Sequence, residues 1–447
     1  VVSSCEPVDD AVVFTGIEGW RRHVGGPFFC NPSGHARQEL VMGDEAMETS
    51  AGYGELSPEL SLLAACTLWP RSDARSRAIA AAAAHPGIDW RRVAKAVERH
   101  RVAGFVLDGL AGAADTTVPP QLLASLRSRA LADSRSNLGI VGEAVRLVRL
   151  LQAAGIPVLV LKGPGLMKLA YGDLAIRQTN DLDLLVPVEA IIQAGEICER
   201  AGYGRIQPPT KAGEAELAGW LRWRKDFIYR HAHSSLPLEL HFRPAISARL
   251  SQAIDLWREP NEVVIQGDHT LPVPGLEALY PYLCLHGSLC AWFRLKWLAD
   301  IAALTADRSA VELEALHAAA VEKGVGRASG QALLLVEAVF RRPLPAALKR
   351  SIVADRRVTR LARFAFSVMC DPRLPAQAPL RSGRIELAHL LLIDDWRIRC
   401  EEIQAWLIDW TLVFSLKLPR GLWFLYPLLR GPIWLWRQLN RLRAPAR

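Results

Sequence analysis

The stretch IPVLVLKGPGLMKLAYGDLAIRQTNDLDLLV, residues 156–186, decides the fold class. It opens on IPVLVLK, a short and nearly all-apolar run of the kind that forms a buried strand. Gly163-Pro164-Gly165 breaks that run, and LMKLAYG reads as a short helix. NDLDLLV then reads as a second strand. Side chains alternate across a strand, so Asp181 and Asp183 point to one face while Leu182 and Leu184 enter the core. Two carboxylates this close repel and raise at least one pKa unless a cation joins them. Hard divalent ions take oxygen ligands of this kind and leave room for substrate phosphates. Two such ions can hold the attacking and leaving oxygens of an in-line phosphoryl displacement.

Working outward toward the C-terminus, VEAIIQAGEICERAGY has the apolar spacing of an amphipathic helix. KDFIYRHAH and LPLELHFRP read as two strands joined at Ser234-Ser235. Strand, helix, strand, helix and hairpin make an α/β unit of roughly 90 residues. In Leu238-Glu239-Leu240-His241-Phe242 the acid and the imidazole share one face and the leucines the other. On an adjacent strand, Glu239 completes a three-carboxylate cluster, as metal ligand or as base for an attacking hydroxyl. The glycine turn upstream lets backbone amides at a helix start meet phosphate. Taken singly, each motif has an ordinary explanation: a surface turn, a strand-to-helix bend, a solvated strand face. Their order and proximity favour a site.

Outside this unit the pattern is helical. Ser57-Pro58-Glu59 opens a helix with proline in its first turn. ARSRAIAAAAAH, DWRRVAKAVERHRV and a long periodic segment from Pro120 follow, with Gly155 as its C-terminal stop. After residue 275 helices return, beginning with LEALYPYLCLHGSLCAWFRLKWLADIAALTA. Within it, Lys296 and Asp300 are spaced as an ordinary i,i+4 helix pair, and His286 falls on an apolar face. The final stretch carries Trp406, Trp410, Trp423, Trp434 and Trp436 beside Arg420, Arg430 and Arg437. Pro419, Pro427 and Pro432 divide it, so it is either packed on the helical domain or laid on a membrane surface, never one spanning helix. Residues 1–55 are rich in glycine and polar residues, lack periodicity and begin with Val. They read as a poorly ordered extension or as an upstream-shifted start, with Met42 or Met47 as initiator; a short ordered extension is the alternative. The expected division is 1–55 extension, 56–155 helical lead-in, 156–275 α/β core and 276–447 helical region with the aromatic, basic tail.

Composition narrows the class. The chain of 447 residues is long enough for two or three cores, and 50% hydrophobic with 22% charged residues is ordinary for a globular protein. A formal charge of +8 suits phosphate handling or an anionic surface, although an arginine-rich, alanine-rich composition also follows from GC-rich codons. The eight cysteines are scattered at 5, 30, 66, 198, 284, 290, 370 and 400, with neither zinc spacing nor a disulfide framework, as expected of reduced thiols in a cytoplasmic protein. No apolar run approaches the length that spans a bilayer, and the N-terminal residues lack a signal-peptide pattern.

The order of glycine turn, Asp-hydrophobic-Asp-hydrophobic and later carboxylate on a hairpin strand resembles the polymerase-beta-like nucleotidyltransferase superfamily. More narrowly, GIPVLVLKGPG, YGDLAIRQTNDLDLLV and LELHF are similar to the bacterial family called uncharacterised nucleotidyltransferase, and the similarity extends through IDWRRVAKAVERHRV and LHGSLCAWFRLKWLADIAAL. The resemblance covers the chain from about residue 56 onward. It implies an α+β fold, a small mixed-sheet core flanked by helical regions. It also implies Mg²⁺, or Mn²⁺ in its place, at Asp181, Asp183 and Glu239. The nucleotide is expected at Lys162, Gly163, Arg177 and Lys296. The implied reaction moves a nucleoside monophosphate from an NTP to an acceptor, a small molecule, saccharide or peptide, and releases pyrophosphate. One departure stands out: where the superfamily usually has Gly-Gly or Gly-Ser, Pro164 offers neither hydroxyl nor amide donor. Kinase-like transfer from ATP and a non-catalytic nucleotide-binding scaffold are the rival readings. A nucleic-acid module fits less well, because no aromatic platform is interleaved with the basic residues.

Overall fold

The computed structural model describes residues 53–111, 118–374, 383–429 and 432. Apart from residues 53–55, the expected extension lies outside the described residues, as do Arg430, Trp434, Trp436 and Arg437 of the tail.

The architecture is α+β, with a small mixed sheet between helical flanks. Ser57 caps the Pro58–Thr67 helix by accepting from the Leu60 amide, as its sequence signature requires. Helices Asp73–Ala83, Trp90–His100 and Ala103–Ala111 follow, and then the 34-residue helix Pro120–Ala153, which Gly155 terminates at φ +74. These N-terminal helices do not form a layer of their own. Leu62, Leu63 and Cys66 lie in one apolar cluster with Leu298, Ala299, Leu333 and Met369 from helices Leu295–Leu304, Gly326–Phe340 and Arg356–Cys370. The long helix belongs to two cores. Leu122 and Leu126 enter that first cluster, whereas Ile140, Ala144, Leu147 and Leu151 enter a second one under the sheet.

The sheet has the order β1-β2-β5-β4-β3. Its strands are β1 (Leu159–Val160), β2 (Leu182–Leu185), β3 (Tyr203–Gln207), β4 (Asp226–His231) and β5 (Pro237–His241). A separate hairpin, β6 (Asn261–Gln266) with β7 (His269–Val273), packs beside it. The run expected as a full strand over 156–162 is paired only at Leu159 and Val160, although Ile156, Val158 and Leu161 are also buried. β2 pairs parallel with β5, setting Leu182 opposite Leu238 and Asp183 opposite Glu239. β5 in turn pairs antiparallel with β4, setting His241 opposite Asp226. The alternation therefore sorts the three central strands by chemistry. One face carries Leu182, Leu184, Leu238, Leu240, Phe227 and Tyr229 into the second core, and helices Pro120–Ala153 and Ile191–Arg200 cover it. The opposite face carries Asp183, Glu239, His241 and Asp226.

The start of the tail packs, but on the α/β unit. Trp410 meets Trp220 edge-on with ring centres 5.1 Å apart, and Trp423 follows against Trp410. Among the described residues no helix is long and apolar enough to cross a membrane.

Candidate functional site

The polar face of the sheet forms the floor of a cavity of about 480 Å³. Three ligand-type side chains converge there. Oxygens of Asp183 and Glu239 and a ring nitrogen of His241 lie within 4.8 Å of one another. His241 is fully buried, and its Nε2 stands 3.1 Å from Asp183 Oδ1 and 3.3 Å from Glu239 Oε2. Facing two carboxylates, Nε2 carries the ring proton and donates it. Burial and the Lys225 ammonium depress the imidazole, but the bonds to Asp183 and Glu239 outweigh them and leave its pKa raised.

Lys162, the last residue before the glycine turn, sets its Nζ 3.0 Å from Asp183 Oδ1. Burial alone works against the Lys162 ammonium, yet Asp183, with help from Tyr282 and Glu239, raises it well above its ordinary value. Burial likewise opposes the Asp183 charge, and Lys162 and His241 overcome it, holding the carboxyl far below the usual carboxylate range. A second pair repeats the arrangement on the far side of β5, where Lys225 stands 3.3 Å from Asp226. Asp226 faces the other nitrogen of His241 at 4.0 Å.

Gly163 makes the approach of Lys162 possible. Its backbone has φ +60 and ψ −124, a conformation that side-chain-bearing residues avoid. Pro164 then occupies the first turn of the helix Pro164–Tyr171, where an unpaired amide is the norm and its missing donor costs no helical bond.

Asp181 sits just before β2 rather than within it, and is half-buried in the lining of the cavity. It is not one of the three converging ligand atoms. Its carboxylate acts on Lys162 and is the anion beside Arg101, Arg294 and Lys296. Burial and neighbouring cations push Lys296 well below its ordinary value and Arg294 down to about 10. Burial also lowers Arg101, which Asp181 and Asp133 oppose. The Asn180 side-chain oxygen accepts from Arg101 at 3.0 Å. Three cations against the adjacent Asp181 carboxylate make this wall suited to a polyanion.

Two expected contacts are arranged differently. Lys296 does not pair with Asp300; its Nζ donates to the Gln178 carbonyl at 3.1 Å. Asp300 takes Arg177 instead, in a two-pronged pair of 2.6 and 2.7 Å that is almost fully buried, and also accepts from the Tyr171 hydroxyl at 2.9 Å. Arg177 lines the cavity, but those two nitrogens are committed to Asp300. A fully buried Asn137 from the long helix fixes the connecting loop. It donates to the carbonyls of Leu174, Ala175 and Arg177 and accepts from the Thr179 amide. His286 forms cavity wall, edge-on to Trp297 at 5.4 Å, and burial with Lys162 nearby keeps it neutral.

Sequence reading missed Arg101, Asn137, Lys225 and Asp226. Arg101 terminates its helix at φ +55, and nothing in VERHRVAG announces that it turns toward residues 180–181. Asn137, mid-helix after the polar run Asp133-Ser134-Arg135-Ser136, carries no signal of burial. Asp226 was legible in principle, because it begins the strand that pairs with β5.

No curated protein matches the chain. A family profile matches residues 86–341, more than half of the chain and the whole of the sheet. The chain belongs to the uncharacterised nucleotidyltransferase family, and is accordingly a transferase of phosphorus-containing groups.

Proposed function

We propose that the protein transfers a nucleoside monophosphate from an NTP to a hydroxyl acceptor, with Asp183 and Glu239, joined by Asp181, holding a divalent cation. The observation that carries this is the parallel β2–β5 register, which sets Asp183 and Glu239 side by side at the floor of a cavity whose neighbouring wall is cationic. The donor set fits Mg²⁺ or Mn²⁺: two carboxylates from separate strands, with a third acidic group in the same lining. When bound, the ion offsets phosphate charge and lowers the barrier to attack at phosphorus.

The chain's own residues supply the rest. Lys296, Arg101 and Arg294 bind the triphosphate, and Lys162 holds Asp183 ionised while facing the same phosphates. Gly163 keeps a side chain out of their path. Glu239 is the most exposed of the three converging groups, at 27%, and takes the acceptor proton. As the acceptor oxygen bonds to the α-phosphorus, the bridging bond to the β-phosphate breaks, and pyrophosphate leaves with that electron pair. Arg177 positions the loop through Asp300 and does not touch phosphate.

Each NTP, labelled at the α- or γ-phosphate, is incubated with Mg²⁺ and a panel of saccharides, peptides and polar metabolites. The α label is expected on the acceptor and the γ label in pyrophosphate, with Asp183→Asn slower by about a thousandfold. Transfer of the γ label, or an Asp183→Asn variant as fast as the parent, refutes the reading.

A further inference from the structure

The same cavity has a wall that the transfer chemistry leaves unused. It is built by residues 244–250, which follow β5, together with two helices beyond the family match, Gly383–Leu392 and Trp396–Leu407. The chain enters β2 through Asp181 and leaves β5 toward Pro244. Because the two strands are parallel, these segments meet the sheet at opposite ends. The cationic wall stands at the Asp181 end, so the wall of residues 244–250 lies past the carboxylates from it.

Glu402 is buried in this wall at 3% exposure. Its Oε1 accepts from the Ser247 amide at 3.2 Å, but its Oε2 accepts no hydrogen bond from the described residues. The nearest candidate partner is His389 Nε2 at 3.8 Å, and burial holds that imidazole down at about 4, so it brings no charge at neutral pH. Glu401 adds a second carboxylate, bonded to the Ser247 hydroxyl at 2.5 Å and to the half-exposed Arg249 at 3.1 Å. The cavity lining includes the apolar Ala245, Ile246, Leu250, Leu285 and Leu289, and of the cations at this end of the sheet Lys225 is paired with Asp226. A buried carboxylate with a vacant oxygen and no cationic partner among the described residues is costly, and the cost falls when a ligand supplies the missing charge.

We propose that this wall is the acceptor subsite and that it recognises an ammonium group carried on an apolar stem, with Glu402 as its counter-charge. A neutral hydroxyl would fill the vacant hydrogen bond yet leave the buried carboxylate without compensation. The ammonium binds and the transfer occurs elsewhere on the acceptor, at the oxygen presented to Glu239. The assignment rests on reading the cavity as the transfer site. It adds the acceptor's chemistry, whose counter-charge Glu402 lies outside the family match.

The test uses n-hexylamine and 1-hexanol, equal in length and different in charge, with the full chain at pH 7.5 and ligand-observed NMR titration. The parent is expected to bind the amine at least tenfold tighter than the alcohol. Glu402→Gln, which keeps the shape and the Ser247 contact, loses that preference. His389→Lys, which supplies an internal cation beside an intact Glu402, loses it as well and guards against a misfolded first variant. Equal binding of the two probes, no binding of either, or a preference that survives both substitutions overturns the proposal. Mg²⁺·NTP affinity is measured on the same samples and on Asp183→Asn. If the parent binds NTP no better than Asp183→Asn while the amine preference stands, the transferase reading fails and the ammonium site does not.

Discussion

Replacing Asp300 by leucine removes the only carboxylate that the buried Arg177 guanidinium contacts among the described residues. Both side chains are under 5% exposed, so solvent cannot take over the charge. Breaking such a pair from one side costs about 3–5 kcal/mol. The Tyr171 hydroxyl loses its acceptor as well, adding about 1–3 kcal/mol. Urea unfolding followed by tryptophan fluorescence should therefore show Asp300→Leu destabilised by at least about 3 kcal/mol, two decades in the unfolding constant. The informative comparison is Arg177→Met/Asp300→Leu/Tyr171→Phe, in which no charge or hydroxyl is left stranded. It should recover to within about 1 kcal/mol of the parent, because a buried pair replaced by well-packed apolar groups is roughly neutral. If Arg177 only positions the 173–181 loop, this variant keeps Mg²⁺·NTP affinity within about threefold, or ~0.7 kcal/mol. A variant with parental stability and a hundredfold weaker nucleotide would show that Arg177 grips phosphate, and the structural assignment would be wrong.

Two further outcomes follow from the same site. Gly163→Ala places a side chain at φ +60 and ψ −124, 3.4 Å from the Thr179 hydroxyl, at a cost of about 1–3 kcal/mol. Denaturation should register that loss, and transfer should fall further than stability because the turn that presents Lys162 shifts. Burial raises Glu402 to about 7 from an ordinary value of 4.5. The native state then binds a proton that the unfolded chain has released, so the contribution of Glu402 to stability is highest below pH 4.5 and declines as pH rises to about 7. Relative to Glu402→Gln, the parent should lose about 3 kcal/mol between about pH 4 and pH 8.5, at roughly 1.36 kcal/mol for each tenfold change in proton affinity. Parallel pH profiles would show that Glu402 is solvated.

The chemistry-bearing face of the sheet was legible because two periodicities agree on it. Asp183 alternates with Leu182 and Leu184, and Glu239 and His241 alternate with Leu238 and Leu240, so each strand declares which side is core. The parallel register between them was not written in either strand alone. It follows from the β4–β5 hairpin and the helix Ile191–Arg200 between β2 and β4. Asp181 shows the limit of alternation. It was expected to share the strand's polar face, but the strand begins one residue later, and Asp181 acts on Arg101, Arg294 and Lys296 as well as on Lys162. Local spacing also suggested a Lys296–Asp300 pair. Burial decided otherwise, because a guanidinium can satisfy a carboxylate with two parallel bonds and a lysine cannot. β3, the helix Glu214–Trp223 and the β6–β7 hairpin were passed over because their patterns are short or mixed; β3 alternates buried with exposed over only five residues.

The helix Pro120–Ala153 runs ~50 Å, and its two halves serve different hydrophobic interiors, with Asn137 near the junction. Shortening the chain to either side of it would strip a greasy stripe from whichever part survived. A minimal fragment therefore has no natural cut between lead-in and sheet: this single rod is the tie-beam both compartments lean on, and the loop that delivers the carboxylates hangs from its midpoint.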